Sequence, residues 1–114
     1  MKYACLVVLL IVITAGVFAS RRIGGPVTTS VRSAAELYSK NCASCHGQDG
    51  RSKTLKAKRN HARNLSDPEW QERVSDERIF NSIMNGKGKM PGYGKKISEQ
   101  EIDALVSYVR ALRK

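Results

Sequence analysis

The residues Cys42-Ala43-Ser44-Cys45-His46 (CASCH) form a C-x-x-C-H pattern in a chain of 114 residues. This pattern is typical of covalent haem attachment. Two thiols three residues apart on one helical turn can each add to a vinyl group of the same porphyrin. The histidine that follows directly then lies under the iron as an axial ligand. We therefore predict that Cys42 and Cys45 hold one covalent haem and that His46 is its proximal ligand.

The same cysteines could instead form a redox dithiol, half of a zinc site or a structural disulfide. A zinc site needs about four ligands, and beyond these residues the chain offers only His61 and carboxylates. A thioredoxin-like dithiol lies in a β-α-β pattern, and no segment here alternates as a strand does. Haem attachment is the favoured interpretation.

A methionine is the favoured sixth ligand of the iron. Met90 lies in residues 86–94 (GKGKMPGYG), a stretch too rich in glycine to be helical, where an isolated methionine has no evident packing role. Met84 falls on the apolar face of a predicted helix, where core packing is the favoured role. His61 lies in a polar, basic stretch and would give bis-histidine ligation. We predict that Met90 is the ligand.

Two capping boxes mark the first and last predicted helices. Ser33-Ala34-Ala35-Glu36 and Ser98-Glu99-Gln100-Glu101 both have the S-x-x-E form. The first helix should run to about Asn41. The last carries apolar residues on one face, at spacings typical of an amphipathic helix: Ile102, Leu105, Val106, Val109 and Leu112.

Two further helices have their own start signals. Asp67 before Pro68 predicts a short helix through Trp70, and Ser75 predicts a helix that stops at Gly86. No segment has the two-residue period of a strand. The predicted fold class is therefore all-α, a small domain with about four helices around one haem.

The N-terminal 19 residues are interpreted as a signal peptide or an N-terminal membrane anchor. Lys2 is followed by 17 uncharged residues, and Val17 and Ala19 fit a secretory cut before Ser20. A retained anchor is the alternative, since the run reaches the lower limit for spanning a bilayer. Residues 20–32 mix Gly, Pro, Ser and Thr and predict a linker. Residues 33–114 form the predicted domain, which either interpretation puts outside the cytoplasm.

The length of the chain limits the classes of protein that it can belong to, and its charge is strongly positive. A chain of 114 residues allows one small domain and excludes a large multidomain enzyme. A domain this small often supplements its core with a disulfide, a metal or a cofactor. The net charge is +10, from 20 Lys and Arg against 10 Asp and Glu.

Residues 33–114 resemble the monohaem class I c-type cytochromes. The resemblance rests on CASCH, on the Lys-Met-Pro-Gly-Tyr loop whose methionine follows His46 by 44 residues, and on the amphipathic terminal helix. In that family the first and last helices cross through a small residue and an aromatic of the first, and an aliphatic and an aromatic of the last. The matching residues here are Ala34, Tyr38, Leu105 and Tyr108.

The resemblance implies a one-electron carrier with covalent haem c, ligated by His46 and Met90, in an extracytoplasmic respiratory-type chain. A haem with both axial positions occupied has no open site for a small-molecule substrate, so an enzyme is not expected. Two alternatives stay open. One is a peroxidase-like haem enzyme, which requires that Met90 does not bind. The other is a cytochrome subunit of a larger oxidoreductase complex.

The sequence departs from the family in one respect. The family usually has a proline after C-x-x-C-H, whose carbonyl accepts the Nδ1 proton of the proximal histidine and orients the ring. Residues 47–66 contain no proline. Another carbonyl must therefore orient His46.

Basic residues are concentrated in two segments. Residues 51–63, the first basic segment, contain six Lys and Arg and no acidic residue; residues 87–96, the second basic segment, contain four Lys and no acidic residue. In the resembling fold both would border the haem edge. They would steer redox partners with acidic docking surfaces, and could hold the protein near anionic lipid. A solvated basic surface without a partner is the alternative. The export leader disfavours nucleic acid as a partner.

Overall fold

The computed structural model describes residues 32–114. Within that range the chain forms six helices and no strand. They are α1 (Ala34–Asn41), α2 (Ala43–His46), α3 (Leu55–Asn60), α4 (Pro68–Arg73), α5 (Asp76–Asn85) and α6 (Glu99–Ala111). The predicted all-α fold class is confirmed. The predicted leader or anchor, and all but the last residue of the predicted linker, lie outside the described residues.

In residues 32–114 no helix is long and apolar enough to cross a bilayer.

Both predicted capping boxes form. At α1, Glu36 N donates to Ser33 Oγ at 3.2 Å and the Glu36 carboxylate accepts from Ser33 N at 3.0 Å. At α6, Ser98 and Glu101 make the same reciprocal pair, at 3.2 and 3.0 Å. Each box satisfies two backbone donors that a helix start would otherwise leave open.

The number and extent of the helices differ from the prediction of about four. Helix α4 continues to Arg73 rather than ending near Trp70. Helix α2 is a single turn directly after α1, and α3 begins after Thr54, whose Oγ1 accepts from Ala57 N at 2.9 Å. Both extra helices are too short for an apolar period to develop, so the sequence pattern did not indicate them.

The core lies where α1 and α5 pack against α6. The rings of Tyr38 and Tyr108 have centroids 4.8 Å apart, which brings together the first and last helices as the resemblance implied. The most deeply buried large side chains come from these two helices. They are Leu37, Tyr38, Ile102 and Leu105.

A buried amide ties α4 to α6. Gln71, only 5% exposed, donates through Nε2 to the Leu65 carbonyl at 2.7 Å and to the Val109 carbonyl at 2.9 Å. Its Oε1 accepts from Arg110 Nη1 at 2.9 Å, and Arg110 also donates to the Val74 carbonyl at 2.6 Å. These bonds hold the chain before α4 against the last helix.

Candidate functional site

A cavity of about 670 Å³ opens among α2, α4, α5, α6 and the loop between α5 and α6. Its volume lies in the range of cofactor and small-molecule sites. Much of its wall is apolar and is shared with the core. Its apolar side chains include Leu65, Trp70, Val74, Ile79, Ile83, Leu105 and Val109.

All four side chains of the predicted site line this cavity: Cys42, Cys45, His46 and Met90. His61 also borders it, although its side chain is largely exposed. Met84 packs against the core instead, and a Cβ on Gly94 would lie 2.2 Å from its Sδ. The fold thus brings together three residues of the attachment pattern and a methionine from 44 residues further along the chain.

His46 is held by a backbone carbonyl that the sequence did not reveal. His46 is only 9% exposed, and its Nδ1 lies 2.9 Å from the carbonyl oxygen of Arg63. Because a carbonyl oxygen can only accept, Nδ1 carries the proton and Nε2 of the neutral ring keeps a free lone pair. Burial lowers the pKa of His46, while the bond to Arg63 opposes that shift, so the neutral ring is favoured. The Arg63 carbonyl is therefore the acceptor that the absence of a proline left unassigned.

The attachment turn is fixed from outside by three hydroxyl groups. Tyr38 Oη donates to the Gly47 carbonyl at 2.8 Å, directly after His46. Tyr93 Oη donates to the Asn41 carbonyl at 2.9 Å, directly before Cys42. Thr54 Oγ1 lies 3.1 and 3.2 Å from two carbonyls within the turn, those of Ser44 and Cys45.

The thiols do not resemble a redox dithiol. Both cysteines are free and half-buried. Burial, with a smaller contribution from Cys45, raises the pKa of Cys42 to about 11, whereas reactive dithiols depend on a stabilised thiolate. No group of three His, Cys, Asp or Glu side chains converges on a metal position within residues 32–114. The dithiol and zinc interpretations therefore gain nothing from the geometry.

The loop that carries Met90 is a tight, backbone-bonded turn. Lys87 and Met90 exchange two backbone hydrogen bonds of 3.0 Å, and Tyr93 N donates to the Ile83 carbonyl at 2.8 Å. Gly86 ends α5 with φ +80°, and a Cβ there would lie 2.6 Å from the Met90 carbonyl oxygen. Glycine at position 86 thus allows the loop to fold back on α5 and bring Met90 to the cavity.

Both basic segments reach the cavity rim. Their ten Lys and Arg side chains are exposed. Lys89 Nζ donates to the Arg59 carbonyl at 3.0 Å, which joins the second basic segment to α3. Of the described charged residues that line the cavity, five are basic and none is acidic; the five are Arg63, Arg73, Arg78, Lys87 and Lys89.

These residues suit a haem. The porphyrin is flat and apolar, and the cavity wall is apolar over several helices. The propionates are carboxylates, and the charged groups on the rim are basic. Cys42 and Cys45 lie one turn apart, and His46 beside them keeps an unprotonated Nε2. The donor set and the shape of the cavity therefore fit one covalent haem.

Comparisons with known proteins agree with this geometry. Residues 29–109 match the family model described as cytochrome C oxidase, cbb3-type, subunit III. The chain is 34% identical over 86 residues to the Cbb3-type cytochrome c oxidase subunit FixP of Azorhizobium caulinodans, a match that covers 75% of this chain but 28% of FixP. It is 35% identical over 81 residues to cytochrome c6 of Microcystis aeruginosa, covering 68% of this chain and 90% of that protein.

Among solved structures, the KustC0563 c-type cytochrome matches with a TM-score of 0.68 and 37% identity, over 73% of this chain and all of that one. The fold and the site define a monohaem class I c-type cytochrome, a haem c protein that carries electrons. The chain belongs to the family of the cbb3-type cytochrome c oxidase subunit III.

Proposed function

We propose that residues 33–114 hold one haem c through thioether bonds at Cys42 and Cys45, with His46 Nε2 and Met90 Sδ as axial ligands. The observation that carries this proposal is the convergence of these four side chains on one cavity. The hydrogen bond from His46 Nδ1 to the Arg63 carbonyl supports it, because that bond leaves Nε2 unprotonated.

With His46 and Met90 both holding the haem, the site would have no position for a substrate, and the chemistry that the haem would supply is one-electron transfer. The chain's own groups set the conditions for that transfer. The neutral thioether of Met90 favours the ferrous state and raises the reduction potential. The apolar wall excludes water, and His46 is kept in one orientation by the Arg63 carbonyl.

Replacement of Met90 tests the ligand assignment, and Met84 offers a matched control. We expect Met90→Ala to abolish the charge-transfer band of a methionine-ligated ferric haem and to lower the potential substantially, since axial ligands help to set haem potentials over about 0.8 V. The vacated position should also begin to react with peroxide. Met84→Leu keeps the apolar volume and should leave the spectrum unchanged. The opposite pattern would mean that Met84 is the ligand, and a wild-type protein that already lacks the band would favour His61.

We also propose that the domain functions outside the cytoplasm, delivered by residues 1–19 as a cleaved leader or a retained anchor, with residues 20–32 as the linker. The uncharged run after Lys2 and the small residues Val17 and Ala19 support this. Cell fractionation followed by N-terminal sequencing tests it. A mature chain that starts at Ser20 in the periplasm indicates cleavage, and an intact chain in the membrane fraction indicates an anchor. Haem-loaded protein in the cytoplasm would contradict the proposal.

The partners that fit this surface are redox proteins with acidic docking patches. The two basic segments border the cavity, and Lys89 joins them. Opposite charge across an interface accelerates encounter, and salt screens it over a Debye length of about 8 Å at 0.15 M.

Oxidation by the anion hexacyanoferrate(III) probes this field directly. We expect the rate to fall as salt rises, and to fall at low salt in the double variant Lys87→Glu with Lys89→Glu. The matched control reverses Lys40 and Lys114, which lie outside both basic segments and carry the same charge change. Equal losses in the two double variants would mean that net charge, rather than the rim of the cavity, governs the rate.

A second candidate function is that of a cytochrome subunit in a larger oxidase. The match of residues 29–109 to a subunit III family and the similarity to FixP favour it. Affinity purification of the tagged chain from mildly solubilised membranes distinguishes the two. Recovery in a stoichiometric complex with further haem-bearing chains supports the subunit, and recovery alone supports the free carrier.

A further inference from the structure

Ser52 contacts both the backbone of His46 and the group that orients its ring. Its backbone N–H donates to the His46 carbonyl at 2.8 Å. Its hydroxyl Oγ donates to the Arg63 carbonyl oxygen, and that same oxygen accepts from His46 Nδ1 at 2.9 Å. The three bonds close a ring through Ser52, His46 and Arg63.

The backbone at Ser52 is in the left-handed region, with φ +55°. A residue other than glycine is uncommon there, and glycine would adopt this conformation without steric cost. The turn also contains Gly47 and Gly50, both at positive φ. Since glycine at 52 would suit the same backbone shape and keep the N–H bond to His46, what serine adds is its hydroxyl.

The hydroxyl changes the strength of the bond at His46 Nδ1. A carbonyl oxygen has two lone pairs and can accept from two donors, but a second donor draws electron density from the oxygen and makes it a weaker acceptor for the first. A weaker acceptor at Nδ1 leaves the imidazole less basic at Nε2. A less basic axial nitrogen stabilises the ferric state less and so raises the reduction potential.

We propose that Ser52 is a positioning residue: its backbone N–H, which any replacement but proline keeps, holds the turn at His46, and its hydroxyl weakens the His46–Arg63 hydrogen bond and thereby raises the reduction potential. The inference rests on the proposed role of His46 as an axial ligand. Ser52 touches the Arg63 carbonyl, and it acts on the iron through His46.

The test removes the hydroxyl from the haem-loaded protein. Ser52→Gly suits the left-handed backbone and Ser52→Ala keeps the Cβ. Ser107→Ala is the matched control, because the Ser107 hydroxyl donates to a carbonyl, that of Asp103, at 3.2 Å on the exposed face of α6. The readouts are the reduction potential from a spectroelectrochemical titration and the Nδ1 proton resonance of His46 in ferrous protein labelled with ¹⁵N-histidine.

We expect both Ser52 variants to lower the equilibrium constant for reduction about threefold, which is near the low end of what one hydrogen bond is worth. For one electron this is about 28 mV, since a tenfold change is 59 mV. The Nδ1 proton resonance should shift in the same variants, and Ser107→Ala should change neither quantity. In the wild type, the Ser52 β-protons should show a nuclear Overhauser contact to the Nδ1 proton.

An unchanged or raised potential in Ser52→Gly overturns the inference, as does a loss of stability without a shift in the potential, which is what a purely structural role would give. If Ser52→Gly yields no folded protein, the wild type still tests the inference: absence of the Overhauser contact between the Ser52 β-protons and the Nδ1 proton would be enough to overturn it. A wild-type spectrum without a six-coordinate low-spin haem would overturn the proposed function and this inference together. A normal wild-type spectrum with unresponsive Ser52 variants would overturn the inference only.

Discussion

Replacing the buried amide of Gln71 with leucine should destabilise the domain by about 2–3 kcal/mol. Two hydrogen bonds to the Leu65 and Val109 carbonyls are lost. The Val109 carbonyl keeps a bond from Leu112 N at 3.1 Å, whereas Gln71 is the donor that satisfies Leu65. Arg110 loses one acceptor and keeps the Val74 carbonyl.

The magnitude follows from these bonds. Two net hydrogen bonds contribute about 1 kcal/mol each, and leaving the Leu65 carbonyl unsatisfied in a buried position costs about a further 1–2 kcal/mol. The added apolar volume of leucine offsets about 1 kcal/mol of this total. The loss of unfolding free energy should therefore be clearly larger than the loss caused by an ordinary surface substitution.

Urea unfolding of the haem-loaded protein measures it, with the slope m unchanged if the denatured state is the same. Gln48→Leu is the matched control, because the Gln48 amide makes one exposed bond of 3.0 Å to Ser39 Oγ. The control should change stability by less than about 0.5 kcal/mol. If Gln71→Leu costs no more than Gln48→Leu, the amide does not tie α4 to α6 in solution.

Three further changes are predicted. The hydrogen bond from Arg32, and to a smaller extent that from Ser98, lowers the pKa of Glu101 from 4.5 to about 2. The Glu101 carboxylate therefore stabilises the fold fully above about pH 4.5, and this stabilisation is lost as the pH falls towards 2. The thermal midpoints of Glu101→Gln and wild type should accordingly converge as the pH is lowered from 4.5 to 2. Gly86→Ala should cost more than about 2 kcal/mol in urea unfolding, because φ is +80° and a Cβ would meet backbone atoms at 2.6 Å; a loss below about 0.5 kcal/mol would contradict the turn geometry. Tyr38→Phe removes the hydrogen bond to the Gly47 carbonyl and should lower the free energy of unfolding by about 1 kcal/mol in the same urea experiment. Its optical spectrum should stay that of the wild type.

Local signals were enough to predict most of the fold. A capping box is decided within four residues, so Ser33 and Ser98 located α1 and α6 with their start residues. Helix α3 could not be predicted in the same way. Thr54 is its N-cap, but its hydroxyl also lies close to the carbonyls of Ser44 and Cys45, contacts that exist only once the chain has folded around the attachment turn.

In the candidate site, too, the residues with a local sequence signal could be predicted and those without one could not. The spacing of Cys42, Cys45 and His46 was enough to predict covalent haem attachment, because the whole pattern lies within five consecutive residues. Met90 could be singled out by its place in a glycine-rich loop. The carbonyl of Arg63 had no such signal, because every residue carries a carbonyl and its side chain plays no part. A positive φ at Ser52 is likewise a property of the folded backbone.

The hydroxyl groups of Tyr38 and Tyr93 bracket the attachment turn, one bonded just after His46 and the other just before Cys42. They come from α1 and from the loop that carries Met90, so two separate parts of the fold hold the residues on either side of the attachment turn. A carrier exchanges electrons fastest when its surroundings need little rearrangement between two charge states, because fixed dipoles have no reorganisation left to undergo. We therefore expect the two phenol groups to affect the rate of electron transfer as well as the stability of the protein: by keeping the surrounding dipoles fixed, they lower the outer-sphere reorganisation energy.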